Sequence, residues 1–305
     1  MGARRGQAGD DGRRAVTVTE FAAHPDARPG AGRRVLVTGA GGRIGRVVCP
    51  GLNARGWRVR GLDRAPLDGV DGLAEPGIEA DIEDAAALER AVAGTDAVVH
   101  LAGTPTEAPF AEILTANIDG TYRVFEAARR VAVRRIVFAS SNHAVGFTPR
   151  SVGVLTPDVP PRPDTYYGVS KVFGEALGRL YADRYRMEVV CLRIGSFADR
   201  PTTPRELSTW LSPSDAVRLV HAALTAPDVD FAVVYGISAN TRAWWDLDSA
   251  RALGYRPTDD AEDYAAEILR EHGEPDPRSL DQAVVGGDFA GPEYDADKVG
   301  RGNPV

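Results

Sequence analysis

The chain has 305 residues, of which 43% are hydrophobic and 26% charged, so it is long enough for one large domain or one domain with a small appendage. No apolar run is long enough to span a bilayer and the first residues lack the apolar core of a signal peptide, which argues against a membrane partner and against secretion. The net charge is −7. Because residues 1–34 carry seven arginines and four acids, a net of +3, the remainder carries −10, which argues against nucleic acid as a partner.

The two cysteines, Cys49 and Cys191, lie far apart in the sequence and show no metal-ligand spacing. We read both as small buried residues in a reduced compartment, and we therefore expect a cytoplasmic protein. The histidines other than His143 are scattered along the sequence, at His24, His100, His221 and His272. We therefore expect no metal site. Residues 1–33 form a leader rich in Arg, Gly and Ala without sustained periodicity, which predicts a poorly ordered extension.

From Arg34 onward, short apolar runs alternate with helical periodicity. The runs predict strands near 35–39, 57–63, 77–81, 97–101, 135–140 and 188–194, and helices near 44–55, 85–93, 110–131 and 164–185. This alternation is typical of a parallel, doubly wound (Rossmann) sheet. After Gly195 the pattern loosens into a helix near 214–225, a strand at 232–235 and a helix near 261–271. We therefore predict an α/β fold with a nucleotide-binding core at 34–195 and a small C-terminal substrate-binding cap at 196–305.

The first predicted strand leads directly into a glycine-rich turn, with glycines at Gly39, Gly42 and Gly45. Gly39 permits the tight turn, Gly42 lets backbone approach a pyrophosphate, and Gly45 lets the following helix pack close to the sheet. The free N–H groups and the macrodipole at the start of that helix favour an anion. A glycine triad between a strand and a helix therefore predicts dinucleotide binding.

Other candidate cofactor residues follow the next strands. Asp63 ends the second strand, where its carboxylate can hold the adenosine ribose hydroxyls and repel a 2′-phosphate, so NAD is preferred over NADP. Arg43 and Arg64 lie close by and leave NADP open, and a simple turn carboxylate is the alternative interpretation of Asp63. The remaining candidates are Ile44, Asp81 and Ile82 after the third strand, and Leu101, Ala102 and Gly103 after the fourth.

Tyr167 and Lys171 are four positions apart on a predicted helix and so lie one turn apart on the same face. A phenol with a pKa of about 10 is a poor base at neutral pH, but an adjacent ammonium favours the phenolate. The pair is therefore a candidate general base for an alcohol proton. Alone, this spacing is weak, since an amphipathic tyrosine and a solvated lysine would also produce it. Beside a dinucleotide cleft it favours hydride chemistry.

These motifs, together with Asp81-Ile82 and Ser140-Ser141, resemble the extended short-chain dehydrogenase/reductase family. Within that family the chain is most similar to the uronate dehydrogenase branch. The similarity is carried by Phe138–His143, Tyr167–Lys171, Arg193–Ser196, Leu207–Trp210 and Gly236–Asn240. It covers nearly everything from Arg34 onward.

The resemblance implies an NAD-dependent oxidation of a uronic acid, galacturonate or glucuronate, at C1 to the aldarolactone. It implies Tyr167 as general base, Lys171 as the cation that lowers the tyrosine pKa and binds the nicotinamide ribose, and Ser141 as donor to the reacting oxygen. Asn117, in the preceding long helix, is a candidate anchor for a water relay at the cofactor. A polar contact inside the helix layer is nearly as good an interpretation.

The carboxylate of such a substrate needs a charge-assisted partner, and Arg205 is the candidate because guanidinium binds carboxylate bidentately. A surface arginine in a loop is the alternative. Ser196, Asn142 and His143 would bind sugar hydroxyls or the carboxylate. The loop after the fourth strand departs from the family pattern, with Pro105 where a serine is expected. The substrate contacts there would fall to Thr104 and Thr106.

Two other functions stay open at this point. One is an epimerase or dehydratase that acts on a nucleotide-linked sugar and keeps its NAD, although the part after Gly195 is small for such a substrate. The other is a dinucleotide-binding sensor without catalysis, although sensors tend to lose the Tyr-Lys pair. Family members commonly associate through the long helices corresponding to 110–131 and 164–185, so the resemblance also implies a homo-oligomer.

Overall fold

The computed structural model describes residues 32–295 and residue 298, so the predicted leader lies almost entirely outside the described residues. The strands within them are β1 (Arg34–Thr38), β2 (Arg58–Asp63), β3 (Ile78–Glu79), β4 (Ala97–His100), β5 (Arg135–Ser141), β6 (Glu188–Ile194), β7 (Ser196–Phe197), β8 (Trp210–Leu211) and β9 (Phe231–Gly236). The α-helices are α1 (Gly45–Asn53), α2 (Ala85–Val92), α3 (Phe110–Glu112), α4 (Gly120–Arg130), α5 (Tyr166–Tyr185), α6 (Glu206–Thr209), α7 (Pro213–Thr225), α8 (Asp248–Ala252), α9 (Ala265–His272) and α10 (Leu280–Ala283).

Seven strands form one sheet in the order β3-β2-β1-β4-β5-β6-β9, and every pairing in it is parallel. The strand order changes direction between β1 and β4, which is where ligands bind in open α/β sheets. The predicted doubly wound α/β fold is confirmed.

The apolar runs read from the sequence are buried on both faces of this sheet. In β1, Val35 and Val37 pack into a core shared with Val48 of α1, while Leu36 points to the opposite core with Phe125 of α4. Parallel strands covered by helices on both sides need apolar side chains at every position, and this is why β1 shows no polar alternation.

Helix α5 carries Tyr167 and Lys171 in its first two turns. It begins after Thr165, whose hydroxyl accepts a hydrogen bond from Gly168 N at 3.0 Å, and it ends at Arg186 in the left-handed conformation. At 20 residues α5 is the longest described helix, and no described helix has the length and apolar composition needed to cross a membrane.

Two predicted elements differ in detail. The third strand was predicted over 77–81 but spans only Ile78–Glu79, because it is an edge strand that pairs on one side alone, with Leu62 and Asp63. The long helix predicted over 110–131 contains a π-helical stretch, Ile113–Asp119, between α3 and α4. The register of helix α4 is thereby shifted relative to α3, and such insertions are frequent at functional sites.

The chain after Gly195 contributes both to the main sheet and to a smaller separate sheet. β9 extends the main sheet beside β6, and β7 pairs with β8 in a separate two-stranded sheet. A small third core joins α6 and β8 to α9, from Leu207, Trp210, Ala261, Ala265 and Ile268. The division at residue 195 into a nucleotide-binding core and a substrate cap stays a prediction.

Candidate active site

The glycine turn after β1 has the geometry that the sequence predicted. Gly39 has φ +73°, and a Cβ on it would lie 2.7 Å from Ala102 N. A Cβ on Gly45 would lie 2.2 Å from Gly39 O, so helix α1 could not approach the turn with any other residue there. No side chain of the described residues caps the start of α1. Arg46 N and Val47 N already donate to the backbone oxygens of Gly42 and Ile44, so an anion would be received by the N–H groups that precede them in the turn.

Asp63 closes the other side of this turn. Its Oδ2 accepts a hydrogen bond from Gly41 N at 2.9 Å and its Oδ1 accepts one from Ala65 N at 2.9 Å. Each carboxylate oxygen has a second lone pair, so Asp63 can still accept bonds from two ribose hydroxyls. Arg43 does not point at Asp63, since its Nη2 donates to Phe197 O at 3.2 Å across the mouth of the cleft.

The turn, Asp63 and the strand ends enclose a cleft of about 450 Å³. All of the predicted cofactor-binding residues except Asn117 line it: Gly39, Gly42, Arg43, Ile44, Gly45, Asp63, Asp81, Ile82, Leu101, Ala102, Gly103, Tyr167 and Lys171. This is the size of cavity in which proteins bind small ligands, and its polar groups lie where a dinucleotide needs them.

Asn117 lies behind the cleft wall. Its Oδ1 accepts from Thr104 N at 2.7 Å, and its Nδ2 donates to Thr104 O at 3.0 Å and to Ser170 Oγ at 3.1 Å. These bonds hold the loop after β4 against helix α5. The contact of Asn117 with a cofactor stays a prediction.

The three predicted catalytic residues meet at the inner end of the cleft. Ser141 ends β5, Tyr167 and Lys171 come from α5, and all three are at least nine-tenths buried. Lys171 Nζ donates to Ala139 O at 3.0 Å and lies 5.1 Å from the centre of the Tyr167 ring. A carbonyl of β5 therefore fixes the lysine one turn along α5 from the tyrosine.

Burial shifts the pKa of both members of this pair towards the neutral form. It raises the pKa of Tyr167 to about 12, with the neighbouring Ser141 hydroxyl acting in the opposite direction, and it lowers the pKa of Lys171 to about 8. The sequence led us to expect that the lysine would lower the tyrosine pKa. In this structure burial raises the pKa of Tyr167, and the group that acts to lower it is the Ser141 hydroxyl and not the lysine.

Three buried groups that the sequence analysis missed support Tyr167. The Glu107 carboxylate accepts from Tyr166 N at 3.2 Å and from Tyr167 N at 2.7 Å, so it satisfies the free N–H groups at the start of α5. Asp164 Oδ2 lies 2.7 Å from His143 Nδ1, and the Thr165 hydroxyl donates to Asp164 Oδ1. Burial raises the pKa of Glu107, and the Asp164 charge acts in the same direction.

A second missed set anchors the end of β5. The Glu175 carboxylate of α5 accepts from Arg193 Nε at 2.9 Å and from Arg193 Nη2 at 2.8 Å, and the Ser140 hydroxyl donates to it at 2.6 Å. Because Ser140 precedes Ser141, this buried ion pair fixes the strand end that carries a candidate catalytic hydroxyl. Glu175 lies 18 residues from Arg193 and 35 residues from Ser140 in the sequence, so no local sequence pattern could have predicted these contacts.

His100 also lies behind the cleft. Its Nδ1 is 2.8 Å from Thr38 Oγ1 and its Nε2 is 3.1 Å from Thr121 Oγ1. Burial lowers the pKa of His100 to about 3, and the Lys171 charge adds to this, so the ring is neutral. Among the described residues no three His, Cys, Asp or Glu side chains are grouped to hold a metal ion.

Of the predicted substrate-binding residues, Ser141 and Thr104 line the cleft and five others lie beyond its wall: Thr106, Asn142, His143, Ser196 and Arg205. Thr104 Oγ1 donates to Glu112 at 3.0 Å, and Ser196 Oγ lies 2.8 Å from Thr209 Oγ1. Asn142 Nδ2 and Arg205 Nη2 both donate to the carbonyl oxygen of Val285. One carbonyl of the C-terminal segment therefore brings Arg205 next to the residue that follows Ser141.

The C-terminal segment, residues 279–290, closes this end of the site. Val285 N donates to Thr148 O at 3.0 Å and Gly286 N to Gly146 O at 2.8 Å. The Phe289 ring lies 4.2 Å from the His143 ring, which in turn lies 5.8 Å from the Tyr167 ring. The sequence analysis placed this segment in the predicted C-terminal part of the chain, 196–305, but assigned none of its residues to the site.

Comparison with known proteins decides the family. The sequence pattern of the NAD dependent epimerase/dehydratase family matches residues 35–201. The chain belongs to this family. It is 44% identical to a uronate dehydrogenase of Agrobacterium fabrum, over 84% of this chain and 96% of that one. It is 41% identical to an NAD-dependent glucose-6-phosphate dehydrogenase of Haloferax volcanii, over 82% and 98% of the two chains.

Solved structures agree with the sequence relatives. A mutant of the uronate dehydrogenase of Agrobacterium tumefaciens, complexed with NAD, matches 85% of this chain and 97% of its own with a TM-score of 0.79 and 44% identity. The resemblance to extended short-chain dehydrogenases/reductases is thereby confirmed, as is NAD as the cofactor of this NAD-dependent family. The roles of individual site residues stay predictions.

Proposed function

We propose that this protein is an NAD-dependent uronate dehydrogenase that oxidises galacturonate or glucuronate at C1 to the aldarolactone. The relatives named above support the reaction. One observation of the structure supports the choice of substrate. Ser141, Tyr167 and Lys171 line the cleft together, and Arg205 lies just beyond its wall, where it shares the Val285 carbonyl with Asn142, the residue that follows Ser141.

The cleft fits the dinucleotide. A Cβ on Gly39 or Gly45 would clash with the backbone of Ala102 or of Gly39, so the two glycines permit the tight turn that brings the start of α1 to the cleft, where a diphosphate can bind. Asp63 presents two oxygens for the adenosine ribose. NAD supplies the hydride acceptor when bound. A negative charge at Asp63 favours NAD, because a 2′-phosphate beside it would be repelled.

The residues of the chain handle the proton. Tyr167 takes it from the C1 hydroxyl, and Ser141 donates a hydrogen bond to the reacting oxygen. Lys171, held by Ala139 O, keeps a positive charge near the phenol and stabilises the phenolate. Glu107 and Thr165 fix the first turn of α5 and so keep the tyrosine oxygen in place.

The substrate carboxylate binds Arg205. A guanidinium has five N–H donors, of which Nη1 donates to Asp281 O and Nη2 to Val285 O, so donors remain for a carboxylate. Asn142, His143 and Ser196 supply further polar groups for the sugar hydroxyls. Asp164 fixes the ring of His143 from behind, because it lies 2.7 Å from Nδ1 and leaves Nε2 to the substrate.

The test is NADH formation, measured by absorbance, when the purified protein is mixed with NAD and each sugar acid. We expect NADH with galacturonate, glucuronate or both. If neither yields NADH under saturating conditions, the substrate assignment is wrong. An epimerase or dehydratase that keeps its NAD would release no net NADH, so the same assay separates the two functions.

We also propose that the protein is a homo-oligomer in a reducing, cytoplasmic setting. Large apolar side chains are exposed along two neighbouring stretches: Phe110, Leu114 and Tyr122 before and in α4, and Tyr166, Val169, Leu180 and Tyr185 on α5. A second copy of the chain would cover them, as the family resemblance implies. Cys49 and Cys191 are free and buried, which suits a reducing compartment. Light scattering on an eluting peak would test the assembly, and a monomer mass would refute it.

A further inference from the structure

The predicted carboxylate partner, Arg205, is already paired with an acidic residue of the C-terminal segment. Asp281 Oδ1 lies 3.7 Å from Arg205 Nε, and the backbone carbonyl of Asp281 accepts from Arg205 Nη1 at 2.9 Å. Gly287 packs against both side chains, since a Cβ on it would lie 2.8 Å from Arg205 Nη1 and 2.9 Å from Asp281 Oδ1. The carboxylate of Asp281 is therefore a fixed neighbour of the guanidinium.

The other charges around Arg205 are mainly acidic. Four carboxylates act on it, and they come from three separate parts of the chain: Asp164, Glu206, Asp281 and Asp288. A second guanidinium, that of Arg150, is close by: it lies 3.4 Å above the Trp244 ring, and Arg205 lies 4.9 Å from the same ring. Arg150 donates to Gln282 Oε1 at 3.0 Å. Within the described residues, acids thus outnumber bases around this subsite.

Such a subsite suits an anion with a single charge. A sugar carboxylate brings one negative charge and a planar pair of oxygens for the free N–H groups of Arg205. A phosphate ester at the same end of a hexose brings about −1.5 to −2 charges at pH 7, and the additional charge would face Asp281. Like charges a few ångströms apart disfavour each other strongly in a partly buried site.

We propose that Asp281 makes the Arg205 subsite selective for a sugar carboxylate over a sugar phosphate. This rests on the proposed function, in which Arg205 receives the C6 carboxylate of a uronic acid. Asp281 acts by contacting Arg205 and by adding negative charge to the subsite, so it determines specificity. It takes no part in the hydride or proton steps. It also holds the guanidinium in place before the substrate arrives.

The experiment compares wild type with Asp281→Asn, which keeps the size of the side chain and a hydrogen-bonding oxygen for Arg205. Two constants are measured from NADH formation at pH 8: kcat/KM for the better sugar acid, and the inhibition constant of glucose 6-phosphate as a competitor. We expect glucose 6-phosphate to bind roughly tenfold more tightly to Asp281→Asn than to wild type, with a smaller change for the sugar acid. The gain should shrink as salt is raised from about 0.05 to 0.5 M, because salt screens a partly exposed charge.

The matched control is Asp276→Asn, which removes one charge from an exposed position just before the C-terminal segment. It should leave both constants at their wild-type values. Asp281→Ser serves as a second variant if the asparagine variant is poorly folded. An unchanged ratio of the two constants, within about twofold, in a working dehydrogenase would overturn the role of Asp281 alone. Failure of the proposed function looks different, since neither sugar acid would then yield NADH.

Discussion

Glu175→Gln is the substitution for which the structure predicts the largest loss of stability near the candidate active site. Glu175 and Arg193 form a two-point ion pair whose side chains are 8% and 3% exposed, and Ser140 donates to the same carboxylate. Glutamine keeps the shape of the side chain and one acceptor oxygen. Its amide nitrogen, however, would turn N–H donors towards the N–H donors of Arg193.

The magnitude follows from burial. Breaking a buried ion pair by removing one partner costs about 3–5 kcal/mol, because the remaining charge stays out of water without compensation. An exposed ion pair contributes only about 0–1 kcal/mol. Since about 1 kcal/mol shifts the Tm of a domain of this size class by roughly 2–4 °C, the melting temperature of Glu175→Gln should fall by roughly 6–20 °C.

Thermal melting followed by circular dichroism measures this loss, and helix α5 supplies a matched control. Asp183 lies on the same helix and pairs with Arg179, but their side chains are 58% and 59% exposed, so Asp183→Asn should change the Tm by no more than a few degrees. A double variant, Glu175→Gln with Arg193→Met, should recover part of the loss because it removes the uncompensated charge. Equal shifts for Glu175→Gln and Asp183→Asn would refute the reasoning.

Four further predictions concern the site. Tyr167→Phe should lower kcat by about a hundredfold or more with NAD affinity retained, and activity within tenfold of wild type would exclude Tyr167 as the base. Arg205→Ala should raise KM for the sugar acid, and an unchanged KM would count against the carboxylate contact. Gly45→Ala places a Cβ 2.2 Å from Gly39 O and should weaken NAD binding in calorimetric titration; wild-type affinity would contradict this. The pKa of Lys171 is lowered from 10.5 to about 8 by burial, so the unfolded chain binds more protons between these values and stability should rise with pH across that window. Lys171→Met removes this rise, and parallel stability curves for variant and wild type would speak against it.

The sequence was sufficient for the parts of the fold that repeat a local pattern. Continuous apolar runs predicted the strands of a sheet covered on both faces, and the glycines at 39, 42 and 45 placed the turn between β1 and α1. The edge strand β3 was predicted too long. An edge strand has a hydrogen-bonded neighbour on one side only, and its residue types do not reveal this. The π-helical stretch at Ile113–Asp119 leaves no mark in the spacing of apolar residues.

Contacts between distant segments were out of reach. Glu107 meets the backbone of Tyr167 across 60 residues, and Asn142 meets Val285 across 143. Both contacts depend on where loops settle after the sheet has formed, and hydrophobic periodicity carries no information about that. The residue types were visible in the sequence, but a buried carboxylate such as Glu107 can be told from a solvated one only by its surroundings.

The two ends of the site are built in different ways, and this bears on how such an enzyme selects its substrate. The end proposed for hydride and proton transfer comes from β5 and α5, where Ser141, Tyr167 and Lys171 are fixed by the sheet and by the helix start. The end proposed for the sugar carboxylate comes from Arg205 and the C-terminal segment, which hold each other through backbone carbonyls and Asp281. A change of charge in that segment would alter which anion the site accepts without moving the catalytic groups, so substrate choice and hydride chemistry can vary independently on this fold.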